Sequence, residues 1–215
     1  FLVSISYDKY LPLIICLLFL LFLISWMWII NLYNFMDGID GLTALQVCTV
    51  ALCTNFLSIF GYINQEYQVF SLILFSVYLA FYKFNKSPAK VFLGDAGSIP
   101  SGYLVGFIMI SCLLTNGVFL PIVIVNMYYI LDSSITLLIR FSKRDNVLQA
   151  HSNHFYQKMI RKGYKHSFVI KWVFILNSIL LLLSLLSMKF PITSFIFSIL
   201  FTTALLYLFY VKKKI

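Results

Sequence analysis

Charge is what this chain has least of. Charged residues fill 11% of its 215 positions, against about 25% in an ordinary soluble domain, and only seven of them are acidic. With 61% of residues apolar, a water-soluble fold of this length could not hide its hydrocarbon surface, whereas a bilayer solvates it. The net charge of +9 does not build a basic domain. Lysines and arginines sit in short gaps between apolar runs, which is the pattern of membrane topology and gives no reason to expect a nucleic-acid partner. Cysteine is sparse as well. Cys16, Cys48, Cys53 and Cys112 all lie inside apolar runs without a Cys-x-x-Cys pair, so neither a zinc site nor a disulfide framework is indicated. No repeat, low-complexity tract or polar linker divides the chain, and residues 1–215 read as a single transmembrane domain. Phe1 to Tyr10 lack the basic start of a secretory signal. With no methionine at position 1, the chain reads as the C-terminal part of a longer one.

What is abundant is hydrocarbon in long runs. Seven runs approach the roughly 17 to 25 residues that cross a bilayer, near 11–30, 42–60, 67–84, 99–115, 117–139, 168–188 and 191–211. This predicts an all-α, polytopic membrane protein of about seven transmembrane helices joined by short loops. Placing loops 31–41, 85–98 and 140–167 and the C-terminal tail on one side collects every lysine and arginine there except Lys9 and Lys189. The positive-inside bias makes that side cytoplasmic, with the C-terminus on it. Charge alone fixes this topology, yet it brings three polar motifs to the same face.

The first motif is Asn31-Leu32-Tyr33-Asn34-Phe35-Met36-Asp37-Gly38-Ile39-Asp40-Gly41. A carboxylate at the bilayer centre costs roughly 2.5 to 3.5 kcal/mol on insertion scales, so two acids against an apolar run suggest a site for a cation or polar substrate. Asp37 and Asp40 would share one face of a helix, but Gly38 and Gly41 weaken a helix here. A broken helix end turned to a wet cavity fits better. Asn31 and Asn34 add amide groups suited to a nucleotide base, a sugar or a phosphate. The second motif, Pro88-Ala89-Lys90-Val91-Phe92-Leu93-Gly94-Asp95-Ala96-Gly97-Ser98, holds Asp95 between glycines that let backbone approach an anion closely. Mg²⁺ takes one or two carboxylates and completes its shell with water and phosphate oxygens. Asp95 with Asp37 or Asp40 would supply those carboxylates. The third motif is His151-Ser152-Asn153-His154-Phe155-Tyr156-Gln157. No His-Glu-x-x-His pattern accompanies it, and with Arg144, Lys158 and Arg161 nearby it fits phosphate binding. His166 by itself reads as structural. Asp132 sits inside the fifth run, eight residues and about 12 Å of helix before Arg140. It is either a functional intramembrane acid or the partner of a basic residue on a neighbouring helix.

These three motifs, in this order and with this spacing across residues 31–166, resemble the signature loops of the polyprenyl-phosphate N-acetylhexosamine-1-phosphate transferases, glycosyltransferase family 4. That family includes the enzymes that initiate O-antigen, enterobacterial common antigen and teichoic acid synthesis and the phospho-MurNAc-pentapeptide translocase. The resemblance implies a multi-pass enzyme of the bacterial inner (plasma) membrane, dependent on Mg²⁺, with Mn²⁺ as the alternative ion. A polyprenyl phosphate, usually undecaprenyl phosphate, would attack a UDP-N-acetylhexosamine and release UMP, beginning a cell-surface polysaccharide. It implies Asp95 and Asp37 as metal ligands, Asp37, Asp40 and Asp95 as the catalytic acids, and Asn31, Asn34, Lys90, Arg144, His151 and His154 as substrate-binding residues. The His-x-x-His-x-Tyr-Gln form is similar to the lipopolysaccharide branch. The family also carries an Asp-Asp pair in an earlier loop, which this chain lacks. The expectation is a C-terminal part of a longer transferase domain, inactive or nearly so alone. A catalytically dead remnant or a small transporter are the competing readings. The sequence leaves the UDP-sugar and the oligomeric state open.

Overall fold

The fold, a computed structural model, describes residues 2–145 and 153–213. The described residues form helices α1 (Leu2–Met36), α2 (Leu42–Ile59), α3 (Glu66–Asn85), α4 (Gly94–Asn116), α5 (Leu120–Val125), α6 (Met127–Ser142), α7 (Phe155–Arg161), α8 (His166–Leu186) and α9 (Pro191–Val211). Six of them, α1 to α4, α8 and α9, are long and apolar enough to cross a membrane. The protein is an all-α polytopic membrane protein. α2 is the central element: 78% of its apolar window is buried, against 6% for that of α1, where most side chains between Tyr10 and Met27 are exposed. α2 packs on α3, α8, α5 and α4, while α1 lies along α4.

The fifth run, expected as one span, is two helices that meet at Asn126. The cause is local. Pro121 opens α5 near its first turn. The Asn126 amide then folds back to donate to the Ile122 carbonyl (2.8 Å), and its backbone N–H takes a tighter bond to the Val123 carbonyl (3.1 Å). The break frees the Val125 carbonyl, which accepts from Gln46 Nε2 at 2.8 Å. A buried network holds the joint: Tyr33 donates to Asn126 Oδ1 (2.8 Å), and Asn177 Nδ2 donates to Gln46 Oε1 (3.0 Å). Irregular backbone at membrane depth persists where such partners re-satisfy it. The stagger matters for the site, because it sets the direction in which α6 carries Asp132.

Hydrogen bonds divide the bundle into two ends. At one, Ser58 donates to the Asn64 carbonyl (3.0 Å) and Asn116 Nδ2 to Asn64 Oδ1 (2.9 Å), tying the α2–α3 loop to the end of α4. At the other, α1 ends, α2 begins, α3 ends, α4 begins and α8 begins. The α9 C-terminus lies there too, because Lys162 Nζ donates to the carbonyls of Phe209 (2.9 Å) and Tyr210 (2.7 Å). A cation on the last carbonyls of a helix complements its dipole.

Candidate active site

α1 stops at Met36, and residues 37 to 41 form an irregular turn before α2. Gly41 closes it with φ +82°, a conformation that L side chains rarely adopt. Its N–H is received by Asn85 Oδ1 (2.9 Å), and the Asn85 amide donates to the Val91 carbonyl (2.9 Å). Asn85, at the end of α3, thus stitches the first motif to the second.

The two motifs meet directly. Asn34 Nδ2 donates to Asp95 Oδ1 (2.9 Å) and to Ser98 Oγ (3.1 Å). Asp37 lies beside them. Burial pushes its carboxyl above the usual carboxylate range; the Thr43 side chain and the Gly94 backbone N–H pull it back, and the charge of Asp95 raises it further. Two acids within electrostatic reach in a half-buried turn form a pair whose repulsion a cation relieves. Asp37, Gly38, Ile39, Asp40, Asn85, Phe92, Leu93, Gly94 and His166 wall a cleft of about 220 Å³. No group of three or more His, Cys, Asp or Glu side chains gathers in metal-binding proximity among the described residues. Asp37 and Asp40 line the cleft, and Asp95 stands within electrostatic reach of Asp37 beside it; two carboxylates completed by water and phosphate oxygens are the kind of donor set that suits Mg²⁺.

Asp40, expected among the catalytic acids, lines the same cleft and has partners of its own. Its Oδ2 accepts from the Ala89 N–H (3.2 Å) and lies 3.1 Å from His166 Nδ1. His166 Nδ1 is also 3.4 Å from the Asp40 backbone N, but with its proton on Nδ1 the ring bonds the carboxylate. Asp40 is a tie between the first turn, the second loop and the start of α8.

The first two residues of the third motif, His151 and Ser152, fall outside the described residues. His154 is described, and it is 1% exposed. Its Nδ1 bonds Asp132 Oδ1 (3.1 Å), the same oxygen that accepts from the Phe155 N–H (3.1 Å) and from Thr136 Oγ1 (3.4 Å). The intramembrane acid thus pairs with a histidine of the loop and not with a lysine or arginine of another helix. The His154 ring lies between Phe35 and Tyr156, stacked against each at centroid distances of 6.4 and 5.8 Å. Tyr156 then reaches the end of α1, where its hydroxyl donates to the Phe35 carbonyl (3.0 Å). It passes so close to Gly38 that a Cβ there would meet the phenol oxygen at 2.3 Å.

The remaining expected residues do not line the cleft. Asn31, Lys90 and Arg144 are exposed, and Arg144, at φ +58°, occupies the left-handed position that ends α6. Residues missed in the sequence complete the site: Ser98, Thr43, Asn85 and Tyr156. Ser98 and Tyr156 were inside the motifs already read. Asn85, a buried amide closing an apolar run, carried the one available signal.

A profile of glycosyl transferase family 4 matches residues 2–113, the segment that holds both halves of the acidic pair. The chain belongs to glycosyl transferase family 4. Similar proteins include phospho-N-acetylmuramoyl-pentapeptide-transferases. That of Lactococcus lactis subsp. cremoris is 34% identical over 130 residues, 59% of this chain and 37% of the relative. That of Clostridium beijerinckii is 44% identical over 80 residues, 36% of the chain and 24% of the relative. That of Neisseria gonorrhoeae is 27% identical over 179 residues, 74% of the chain and 47% of the relative. The chain spans between about a quarter and a half of the length of these family members.

Proposed function

We propose that the protein of which this family-4 chain is part transfers an N-acetylhexosamine 1-phosphate from a UDP-sugar to a polyprenyl phosphate at the cytoplasmic face of the bacterial inner membrane, releasing UMP. The observation that carries this reading is the meeting of Asn34, Asp37, Asp95 and Ser98 from loops 61 residues apart, at the end of the bundle where the basic residues gather. An oxygen of the lipid phosphate attacks the sugar-proximal phosphorus, and the bond from that phosphorus to the UMP oxygen breaks with its electron pair. No proton transfer is required when both phosphates are ionised. The difficulty is charge, since two anions must meet. A bound Mg²⁺ held by Asp37 and Asp95 would offset the charge on the diphosphate. Asn34 fixes the orientation of the Asp95 carboxylate, and the Gly94 N–H and Thr43 offset part of the burial that raises the Asp37 carboxyl beside it.

The lipid tail must stay in hydrocarbon and the nucleotide in water, and a cleft at the end of a membrane bundle lets both reach one point. The similarity to phospho-N-acetylmuramoyl-pentapeptide-transferases supports a second substrate reading, UDP-MurNAc-pentapeptide. The His-x-x-His loop favours a plain UDP-N-acetylhexosamine. An exchange assay with the whole protein, undecaprenyl phosphate and radiolabelled UMP distinguishes them by the UDP-sugar that supports label incorporation. Asp95→Asn should abolish exchange and keep the fold; turnover near wild type in that variant would refute the metal assignment.

A further inference from the structure

α3 and α8 pack on α2 and scarcely touch each other, which leaves an open furrow along α2. Its walls are apolar: Leu52, Phe75, Leu79, Phe174 and Leu181 are among the side chains that line about 340 Å³. A second cavity of about 320 Å³ continues from it toward the site end, sharing Tyr82 and Phe174 as walls, and it has a different chemistry. Lys86 from the end of α3, Lys171 from the second turn of α8, Ser87 and Ser167 line it, with Asp40 on its far side. A cationic, hydroxyl-bearing chamber thus opens into a hydrocarbon-lined groove, with the chamber at the bundle end and the groove at membrane depth.

We propose that this composite groove is a binding site for an anionic glycerophospholipid, with its phosphate at Lys86 and Lys171 and one acyl chain along α2 between α3 and α8. Charge complementarity and the continuity of the two cavities select an amphiphile with an anionic head. Asp40 selects further. It adds a negative charge to the chamber wall, which disfavours a bare phosphate monoester and favours a diester head with hydroxyl donors that the carboxylate and the two serines can accept. Asp40 also partitions the chamber from the catalytic cleft. The cleft is walled by Asp37, Asp40 and Gly94 without either lysine, and the chamber by both lysines without Asp37 or Asp95. A phosphate seated at Lys86 and Lys171 lies in a chamber that shares the Asp40 wall with the cleft and does not reach Asp37. Because Asp40 bonds His166 and the Ala89 N–H, the lipid head rests against the tie that holds the two active-site loops together.

The test uses the whole protein in nanodiscs without UDP-sugar, so that it stands apart from the transferase reading. Phosphatidylglycerol with a diazirine in one acyl chain is photolysed and the adducts are mapped by peptide mass spectrometry. Adducts should concentrate on residues 45–52, 75–82 and 174–181, at least ten-fold above those from the matching phosphatidylcholine probe. The Lys86→Gln/Lys171→Gln double variant should lose about thirty-fold in phosphatidylglycerol affinity, as expected for two lysines against an anionic head, with phosphatidylcholine labelling and thermal unfolding unchanged. Equal labelling by the two lipids would overturn the proposal. So would groove adducts formed only by a diazirine polyprenyl phosphate, or cross-links from these segments to a second copy of the chain.

Discussion

Replacing Gly102 by alanine should silence the site from outside it. α1 and α4 lie against each other through a small-residue ladder, Ser98, Gly102 and Gly106, one turn apart. A Cβ on Gly102 would stand 2.6 Å from the Ile30 Cα and 3.1 Å from the carbonyls of Ile29 and Ile30. These are backbone atoms and cannot rotate away. Carbon atoms pack comfortably at about 3.5 to 4.0 Å, so the helices must part by about 1 Å. One turn further along both helices, Asn34 bonds Asp95 at 2.9 Å and Ser98 at 3.1 Å. An added ångström takes both distances beyond hydrogen-bond range. Alanine gains about 1 kcal/mol of helix propensity over glycine, and overpacking costs about 1 to 3 kcal/mol, so the loss of stability stays modest. A misplacement of 1 Å in a reacting constellation costs on the order of 100-fold in rate. Gly106→Ala is the control. Its Cβ meets the Trp26 indole at 2.4 Å, a side chain that can swing, and it lies about 12 Å of helix from Ser98. In the UMP exchange assay with the whole protein, Gly102→Ala should lose about 100-fold in turnover and Gly106→Ala only a few-fold, both with near-normal thermal unfolding. Equal activities in the two variants would refute the argument that α1–α4 spacing sets the Asn34–Asp95 contact.

Three further outcomes follow from the same geometry. Gly38→Ala should disrupt the Tyr156 bond to the Phe35 carbonyl and lower activity at least ten-fold. Adding Tyr156→Phe, which removes the clashing oxygen, should recover part of that loss; strictly additive losses would count against the contact. The raised Asp37 carboxyl, caused mainly by burial and also by Asp95, means that the folded chain holds more protons than the unfolded chain between the ordinary and the raised pKa. Stability should therefore fall as pH rises through that window and remain lower above it. Asp37→Asn should flatten this dependence and unfold at higher temperature near neutral pH while losing activity; an unchanged pH profile would refute the assignment. Asp132→Ala removes a buried oxygen that receives His154, Phe155 and Thr136. It should destabilise the protein by about 3 to 5 kcal/mol, visible as a lower unfolding midpoint, whereas Asp132→Asn, which keeps an acceptor for the Phe155 N–H, should cost less.

Much of the architecture was legible because membrane helices declare themselves by run length alone, and the charge bias sorted the loops. What hydropathy could not resolve was the joint at Asn126, since a run scored on mean character hides one amide whose partners, Gln46 and Tyr33, come from other helices. The acidic pair was legible from glycine spacing around Asp37 and Asp95. The partners of Asp40 and His154 were not, because the sequence shows that an acid and a histidine are present but not that each has found the other kind as its partner.

That pairing sorts the acids by task. Asp40 with His166, and Asp132 with His154, are carboxylates hydrogen-bonded to a histidine, and both join segments distant in sequence. Among the described residues, Asp37 and Asp95 have each other's repulsion and neutral donors: Asn34 on Asp95, and Thr43 and the Gly94 N–H on Asp37. In a bundle end crowded with lysines and arginines, two acids without a basic partner among the described residues would, on the proposed reading, keep their affinity for an external cation. A lysine placed against either would neutralise the pair and take the position a metal needs. The same chain thus sets a histidine against Asp40 and against Asp132, and among the described residues no lysine or arginine forms an ion pair with Asp37 or Asp95.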